Sequence, residues 1–232
     1  MGKIEYSQLT VTVMLKRDLP FNKCNEELSK FINLVMIIDK VLRERHERRG
    51  YKYYIFSNLS PIEAEKVYKC GKIYTFTLRS ADREYSSILK RNIKLINSPH
   101  FHIISSKFEC RNPKFINELV TITPVVVTSG RDTHWTQKDS FELLQQKIHR
   151  NLKYKYETFY KEELNDNQYF FYGIEMMNPH PILVSYKGGF LVGNKLKIQV
   201  KEDETSQLIA AMSISSGLGE KNSIGMGFCN AY

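Results

Sequence analysis

The strongest constraint on the fold is the order in which strand-like and helix-like patterns follow one another. Residues 6–16 alternate apolar and polar side chains, many of them β-branched, which is typical of a half-buried strand. An apolar stripe at helical spacing follows over residues 26–45, and Gly50 marks its end. The pattern then predicts strands at 51–59 and 72–79, a helix at 82–96 that Asp82 caps, and a strand at 101–109.

The same order recurs in the second half of the chain. It predicts strands at 119–128, 170–177, 181–186, 190–201 and 224–229, with helices at 138–160 and 205–215. Two successive strand–helix–strand–strand–helix–strand units predict an α+β fold of tandem ferredoxin-like (βαββαβ) domains, in which antiparallel sheets carry helices on one face. Arg111–Lys114 separates the units, so we expect domains at 1–112 and 113–232.

The charge of the chain favours a polyanionic partner. The 232 residues include 34 Lys and Arg against 25 Asp and Glu, a net charge of +9. Nucleic acid, an anionic membrane and mere solubility all fit this excess. The four scattered cysteines form no Cys-x-x-Cys pair, so we expect reduced thiols in a cytoplasmic protein and no zinc site. The charged N-terminus does not resemble a secretory signal, and no apolar stretch predicts a membrane span.

The C-terminal part of the chain is rich in glycine. Gly217, Gly219, Gly225 and Gly227 flank a polar tip that contains Lys221, Asn222 and Ser223. Backbone N–H groups in such a loop can bind phosphate oxygens, and the three tip side chains offer further donors. The spacing matches neither the P-loop nor the dinucleotide fingerprint, so no nucleotide cofactor is expected. The alternative is a glycine-rich turn that enters an edge strand.

The run Gly-Leu-Gly-Glu-Lys-Asn-Ser-Ile-Gly-Met-Gly at 217–227 resembles the signature of the CRISPR-associated endoribonucleases that cut repeat RNA, within the RAMP superfamily. Leu42–His46 with Gly50–Leu59, and Ile122–Val127, extend the similarity over nearly the whole chain. The resemblance implies that the substrate is a CRISPR repeat in a precursor RNA, cut once per repeat to release guide RNAs. It also implies a catalytic histidine near the end of the first helix.

His46 occupies that position. A neutral imidazole can accept the proton of a ribose 2′-hydroxyl, whose oxygen then attacks the adjacent phosphorus. The products are a 2′,3′-cyclic phosphate and a 5′-hydroxyl, and the reaction requires no metal ion. Lys52 is expected either to stabilise the developing negative charge or to assist the leaving oxygen. Four arginines surround the histidine and are expected to bind phosphates: Arg43, Arg45, Arg48 and Arg49. The alternative is a histidine that only caps the helix end.

One position departs from the family. Some members add a tyrosine from the first helix beside the histidine, whereas this chain has no tyrosine from Ser7 to Gly50, and Phe31 in the middle of the helix offers no hydroxyl. Tyr51, Tyr53 or Tyr54 are candidates to replace it, but alternation along a strand would place only some of them on the histidine side.

Other histidines and one basic helix are weaker candidates. His100 and His102 have a spacing compatible with a metal, but loop or core positions are favoured. The second long helix is expected to expose Lys147, His149, Arg150, Lys153 and Lys155, either as an additional RNA contact or as an ordinary solvated face.

The sequence therefore predicts a metal-independent endoribonuclease that binds CRISPR repeat RNA between two domains. The alternatives are a non-catalytic RNA-binding subunit of an effector complex, or a ferredoxin-like adaptor whose charge serves solubility. Other CRISPR effector subunits and a second copy of the chain are left open as partners, and no membrane partner is expected.

Overall fold

The computed structural model describes residues 4–130, 133–165 and 168–232. The first half contains strands β1 (Tyr6–Leu15), β2 (Leu19–Pro20), β3 (Tyr54–Phe56), β4 (Val67–Tyr68), β5 (Ile73–Ser80) and β6 (Phe101–Arg111), and helices α1 (Cys24–Ile37), α2 (Lys40–Glu47) and α3 (Arg83–Asn92). The second half contains strands β7 (Glu118–Thr121), β8 (Phe171–Met176), β9 (Ile182–Tyr186), β10 (Gly189–Gly193), β11 (Leu196–Val200) and β12 (Cys229–Ala231), and helices α4 (Phe141–Tyr160) and α5 (Glu204–Ser216).

Each half builds one four-stranded antiparallel sheet. The strand orders are β3-β5-β1-β6 and β12-β7-β11-β8. In both sheets the first strand of the unit lies in the centre, next to a strand from later in the same unit, and the helices of each unit cover one face. The predicted α+β fold with tandem ferredoxin-like units is confirmed.

The alternation read from the sequence explains the first sheet. In β1, the apolar side chains of Leu9, Val11 and Val13 are fully buried, while the intervening threonines are partly exposed. These side chains pack with α1 and α3 in a core whose fully buried members lie between residues 9 and 101. A second core is formed mainly by residues 116–229. This near-separation of cores supports our proposal that the domains are 1–112 and 113–232.

The helix predicted over residues 26–45 is wrong in one respect, because it is two helices. The chain turns at Ile38, and Asp39 caps α2 by accepting hydrogen bonds from the N–H groups of Val41 (2.9 Å) and Leu42 (3.1 Å). A capped start favours a separate short helix over continuation of α1. The end of α2, and with it His46, therefore has its own orientation.

Two strand predictions in the second half are also wrong. The stretch 190–201 is divided, because β10 pairs with β9 in a separate hairpin while β11 lies in the main sheet. The stretch 224–229 is not a strand: residues 222–224 form a 3₁₀ turn and β12 begins only at Cys229. Positive φ angles at Gly225 and Gly227 interrupt extended backbone there.

None of the helices formed by the described residues has the length and apolar character needed to cross a bilayer.

Candidate functional site

His46 lies in the last turn of α2 and lines a cleft of about 530 Å³. Its Nδ1 atom is buried and has no hydrogen-bond partner among residues 4–130, 133–165 and 168–232. Burial lowers the pKa of His46, the positive charge of Lys52 lowers it further, and Glu47 opposes the shift. The net shift favours the neutral form of the ring, which is the form that accepts a proton.

Lys52 holds the end of the helix that carries His46. Its Nζ donates hydrogen bonds to the main-chain oxygens of Arg45 (3.2 Å) and His46 (2.6 Å), and to that of Arg48. The last carbonyls of a helix have no partners within the helix, and the helix dipole places negative charge on them. The ammonium group satisfies both requirements and lies beside the imidazole in the same cleft. Burial lowers the pKa of Lys52.

The four predicted phosphate-binding arginines have different surroundings. The guanidinium group of Arg45 forms ion pairs with Asp82 and Glu84 at the start of α3. Arg45 also lines the His46 cleft, together with Arg48 and Arg49, which are exposed and form no ion pair within the described residues. Arg43 is exposed on α2 outside this cleft. Arg45 therefore joins α2 to α3, while Arg48 and Arg49 are available to an anion in the cleft.

Tyrosines reach the cleft from the segment that follows α2. Phe31 of α1 is buried against Phe101, with ring centroids 5.5 Å apart, and offers no hydroxyl. Tyr51 and Tyr53 both line the cleft, and their ring centroids are 6.0 Å apart. Both residues precede β3, and Tyr53 has a φ of 53°, so the backbone here is not an extended strand. The alternation expected of a strand therefore does not apply to these two residues. Tyr54 also lines the cleft, but its hydroxyl donates to the Ser223 oxygen (3.3 Å).

The four glycines of the predicted binding loop, at 217, 219, 225 and 227, are all buried. At Gly227, with a φ of 79°, an added Cβ would lie 2.0 Å from the Leu218 oxygen. At Gly219, it would lie 2.6 Å from the Val126 oxygen. The glycines thus allow the loop to pack against itself and its neighbours, and the surface that a ligand meets is formed by the polar tip.

The three polar side chains of the tip are used differently. Lys221 is exposed, and Ser223 is partly exposed. Asn222 is bound inside the loop, since its amide nitrogen donates to the oxygens of Leu218 (3.0 Å) and Met226 (2.8 Å). The backbone N–H groups of residues 221–223 form no hydrogen bond within the part of the chain that the structure describes. The tip therefore offers one exposed ammonium group and main-chain donors.

Lys155 is a residue of the site that sequence reasoning missed. The sequence predicted an exposed face of α4, but Lys155 and His149 are buried, at 2% and 8% exposure. Lys155 donates to the Gly217 and Gly219 oxygens and to Asn222 Oδ1. The signal was present: the apolar stripe of residues 144, 148 and 152 continues at position 155 when extended by three residues. A basic residue on that stripe is directed into the protein.

The loop and the His46 cleft share a wall. A second cleft, of about 230 Å³, is lined on one side by residues 219–223 and on the other by residues 50–54. Residues 51–54 line both clefts. The two predicted parts of the site, distant in sequence, therefore open on either side of one short segment.

His100 and His102 have a spacing that is compatible with a metal ion, but His100 contacts an acidic side chain instead. His100 Nδ1 lies 3.1 Å from Glu27 Oε2, and burial lowers the pKa of His100. Within residues 4–130, 133–165 and 168–232, no group of three or more histidine, cysteine or acidic side chains is arranged to hold a metal ion.

The described residues thus form two ferredoxin-like units, with a histidine at a basic helix end and a glycine-rich loop near the C-terminus. Residues 110–231 match the family described as "CRISPR associated protein Cas6, C-terminal". Because this match spans more than half of the sequence, the chain belongs to the Cas6 family.

Individual relatives agree with this assignment. The chain is 25% identical over 247 residues to the protein named CRISPR-associated endoribonuclease Cas6 2 of Methanocaldococcus jannaschii, covering 96% of this chain and 98% of the relative. A solved structure described as "CRISPR associated protein Cas6" matches with a TM-score of 0.75 and 20% identity, covering 98% of this chain and 99% of that one. Another, described as "An RAMP protein binding different RNA substrates", matches with a TM-score of 0.76 and 17% identity over 97% and 99%. At these identities, the structural matches show the fold.

Proposed function

We propose that this protein is an endoribonuclease that cleaves CRISPR precursor RNA within each repeat and so produces guide RNAs. The observation that supports the proposal is the segment of residues 51–54, which lines both the cleft that contains His46 and the cleft that contains the polar loop tip. The name of the Methanocaldococcus relative, an endoribonuclease, supports the activity. The RAMP protein of similar fold, described as binding different RNA substrates, supports RNA as the ligand.

The proposed reaction is an attack within the RNA strand. Neutral His46 accepts the proton of a ribose 2′-hydroxyl, and the 2′-oxygen forms a bond to the adjacent phosphorus. The bond from phosphorus to the 5′-oxygen breaks, and that oxygen takes up a proton to become a hydroxyl. The other product ends in a 2′,3′-cyclic phosphate. Since the nucleophile is part of the substrate, we propose that no metal ion takes part.

The positive charges of the cleft have distinct roles in this proposal. Burial and the positive charge of Lys52 both lower the pKa of His46 and so favour the neutral imidazole, and the same positive charge stabilises the negative charge that develops on phosphorus. Arg48 and Arg49 bind phosphates beside the cut. Arg43 is exposed on the same helix and extends this basic surface. Arg45 contributes chiefly through its bridge to α3.

The loop is proposed to bind the RNA backbone through its tip. Lys221 and the N–H groups of residues 221–223 are the donors, while the four glycines at 217, 219, 225 and 227 permit the loop's shape. Asn222 acts within the loop rather than as a free donor. The long RNA has further contacts along the basic protein, whose charge is +9. Other CRISPR proteins and a second copy of this chain stay open as partners, and a cytoplasmic location stays a prediction.

One observation favours a second candidate, a non-catalytic RNA-binding subunit of an effector complex. Phe31 is buried in the core, so this position of α1 supplies no hydroxyl to His46. Under this alternative, the cleft binds repeat RNA without cutting it. The cleft tyrosines Tyr51 and Tyr53 are the residues whose hydroxyls would have to assist if the enzyme is active.

The test uses repeat RNA from the CRISPR array of the genome that encodes this chain, incubated with the full-length protein and EDTA. We expect one cut per repeat, with a cyclic-phosphate end on the upstream product. His46→Ala is expected to abolish cutting and to retain binding, whereas the exposed histidine variant His180→Ala serves as the matched control and should cut normally. Tight binding without any cut by the wild type favours the second candidate. Cutting that requires added metal, or that survives in His46→Ala, contradicts the mechanism.

A further inference from the structure

Lys155 is a buried charged residue for which the proposed reaction has no role. Its Nζ atom lies 2.7 Å from the Gly217 oxygen, 3.0 Å from the Gly219 oxygen and 2.7 Å from Asn222 Oδ1. An ammonium group has three N–H donors, so each donor has one acceptor. Burying a charge is unfavourable unless it is fully hydrogen-bonded, and here that condition is met by the glycine-rich loop itself.

Asn222 extends these contacts through the loop. While its side-chain oxygen accepts from Lys155, its amide nitrogen donates to the main-chain oxygens of Leu218 and Met226. Lys155 and Asn222 together therefore bind four main-chain carbonyl groups spread over residues 217–226. Lys155 thus binds one side of the loop directly and reaches the other side through Asn222.

Lys155 also contacts the opposite wall of the loop cleft. Its Nζ lies 5.7 Å from the centre of the Tyr51 ring, within the range of a cation–π interaction. Tyr51 lines both the loop cleft and the His46 cleft. The same ammonium group thus contacts the loop on one side and, on the other, the segment that follows α2, the helix that carries His46.

We propose that Lys155 is a positioning residue for RNA binding: its ammonium group holds the glycine-rich loop in the conformation that lets residues 219–223 line the cleft opposite Tyr51. This role rests on the proposed function. Lys155 does not touch RNA itself, and it acts through Gly217, Gly219 and Asn222.

The charge state of Lys155 gives this role a pH dependence. Burial lowers the pKa of Lys155 to about 7, while the nearby Cys229 and Glu220 act in the opposite direction. A neutral amine has one N–H donor fewer, so one of the three loop acceptors loses its partner above that pH. Burial raises the pKa of both Cys229 and Tyr51, and it lowers that of Lys52, which lines the same cleft. All these groups remain in Lys155→Met, so a comparison with this variant isolates Lys155.

The experiment measures RNA affinity in a cleavage-deficient background. The dissociation constant for repeat RNA is determined with full-length His46→Ala, alone and combined with Lys155→Met or Lys147→Met, between about pH 6 and pH 8.5. Lys147 is the matched control, since it is an exposed lysine of α4 outside both clefts. The same lysine substitutions are also made in the protein that retains His46, and the single-turnover cleavage rate of each variant is measured at saturating RNA.

At about pH 6, we expect Lys155→Met to weaken binding by about tenfold or more, and Lys147→Met by less than about threefold. The cleavage rate at saturating RNA should change by less than about threefold, since the reacting groups are intact. Affinity of the parent should fall as pH rises through about 7, and Lys155→Met should lack this fall.

Two results overturn the role of Lys155 alone: cutting by the wild type together with unchanged affinity in Lys155→Met, or an equal pH dependence in both proteins. Failure of the wild type to bind repeat RNA overturns the proposed function as well. If Lys155→Met does not fold, as judged by thermal unfolding, Asn222→Ala is measured in its place, because Asn222 accepts from Lys155 and binds the Leu218 and Met226 oxygens: weakened RNA affinity supports the role, and unchanged affinity refutes it.

Discussion

The Nζ atom of Lys52 lies 2.6 Å from the main-chain oxygen of His46, so the Lys52 side chain holds the backbone of His46 rather than its imidazole. This contact fixes the helix end on which the imidazole is carried. It also keeps a positive charge close enough to lower the pKa of His46.

Replacing Lys52 by Met should therefore alter the pH dependence of cleavage as well as its rate. The base must be neutral, so the rate rises with pH through the pKa of His46. Loss of the neighbouring charge raises that pKa, and the acidic limb of the profile should move to higher pH. We also expect the maximal rate to fall by about tenfold or more. Single-turnover rates between about pH 5 and pH 8 measure both effects. An unmoved limb, or a shift to lower pH, contradicts the assignment.

The arginine variants should differ in the salt dependence of RNA binding. Arg48→Ala and Arg49→Ala each remove a cleft cation and should reduce the slope of log affinity against log salt by about 0.7 to 0.9. Arg45→Ala removes the bridge to Asp82 and Glu84 and should leave that slope nearly unchanged. Filter binding over a range of salt concentrations provides the slopes. Equal changes in all three variants would show that Arg45 also binds phosphate.

The cap of α2 should matter for both stability and cleavage. Asp39→Ala removes the acceptor for the N–H groups of Val41 and Leu42 and should lower the free energy of unfolding by about 1 kcal/mol. Cleavage should slow, since His46 lies on the same short helix. Asp39→Asn keeps a side-chain oxygen acceptor and is the matched control. Urea unfolding and single-turnover rates test the pair, and identical behaviour of the two variants would argue against the cap.

A methyl group added inside the loop should be poorly tolerated. Gly227→Ala would place Cβ 2.0 Å from the Leu218 oxygen at a positive φ, so we expect a loss of about 2 kcal/mol or more in unfolding free energy. RNA affinity should fall with it. Gly173→Ala in β8 meets no atom within 4 Å and should stay within about 0.5 kcal/mol of the wild type. Chemical denaturation measures the difference, and a stable Gly227→Ala with normal affinity would refute the packing argument.

The parts of the fold that were predictable from the sequence are those governed by burial on one face. β1 and β5 alternate because one side of the sheet is in the core, and their bounds differ little from the predicted ones. The division between α1 and α2 has no proline or glycine to mark it, and only the capping side chain of Asp39 sets it. Local propensity could not distinguish this turn from a continuous helix.

The candidate site was predictable in composition but not in arrangement. His46, Lys52 and the glycine-rich loop could be named from the sequence, yet the end of the loop was interpreted as a strand and Lys155 as exposed. Both errors have one cause: the loop is stabilised by contacts with Lys155 of α4 and the Val126 segment, which are distant in sequence. Such contacts override local pattern, and no periodicity within the loop reports them.

The segment 51–54, which borders both clefts, also bears on the distance between the nucleotides bound at the loop and the cut. In an RNA strand that occupies both clefts, some phosphates would be bound at the loop tip. The width of this segment would separate them from the phosphate at which the strand is cut. If the proposed function holds, the cut would therefore lie at a constant offset from the nucleotides bound at the loop tip, whatever the bases in between.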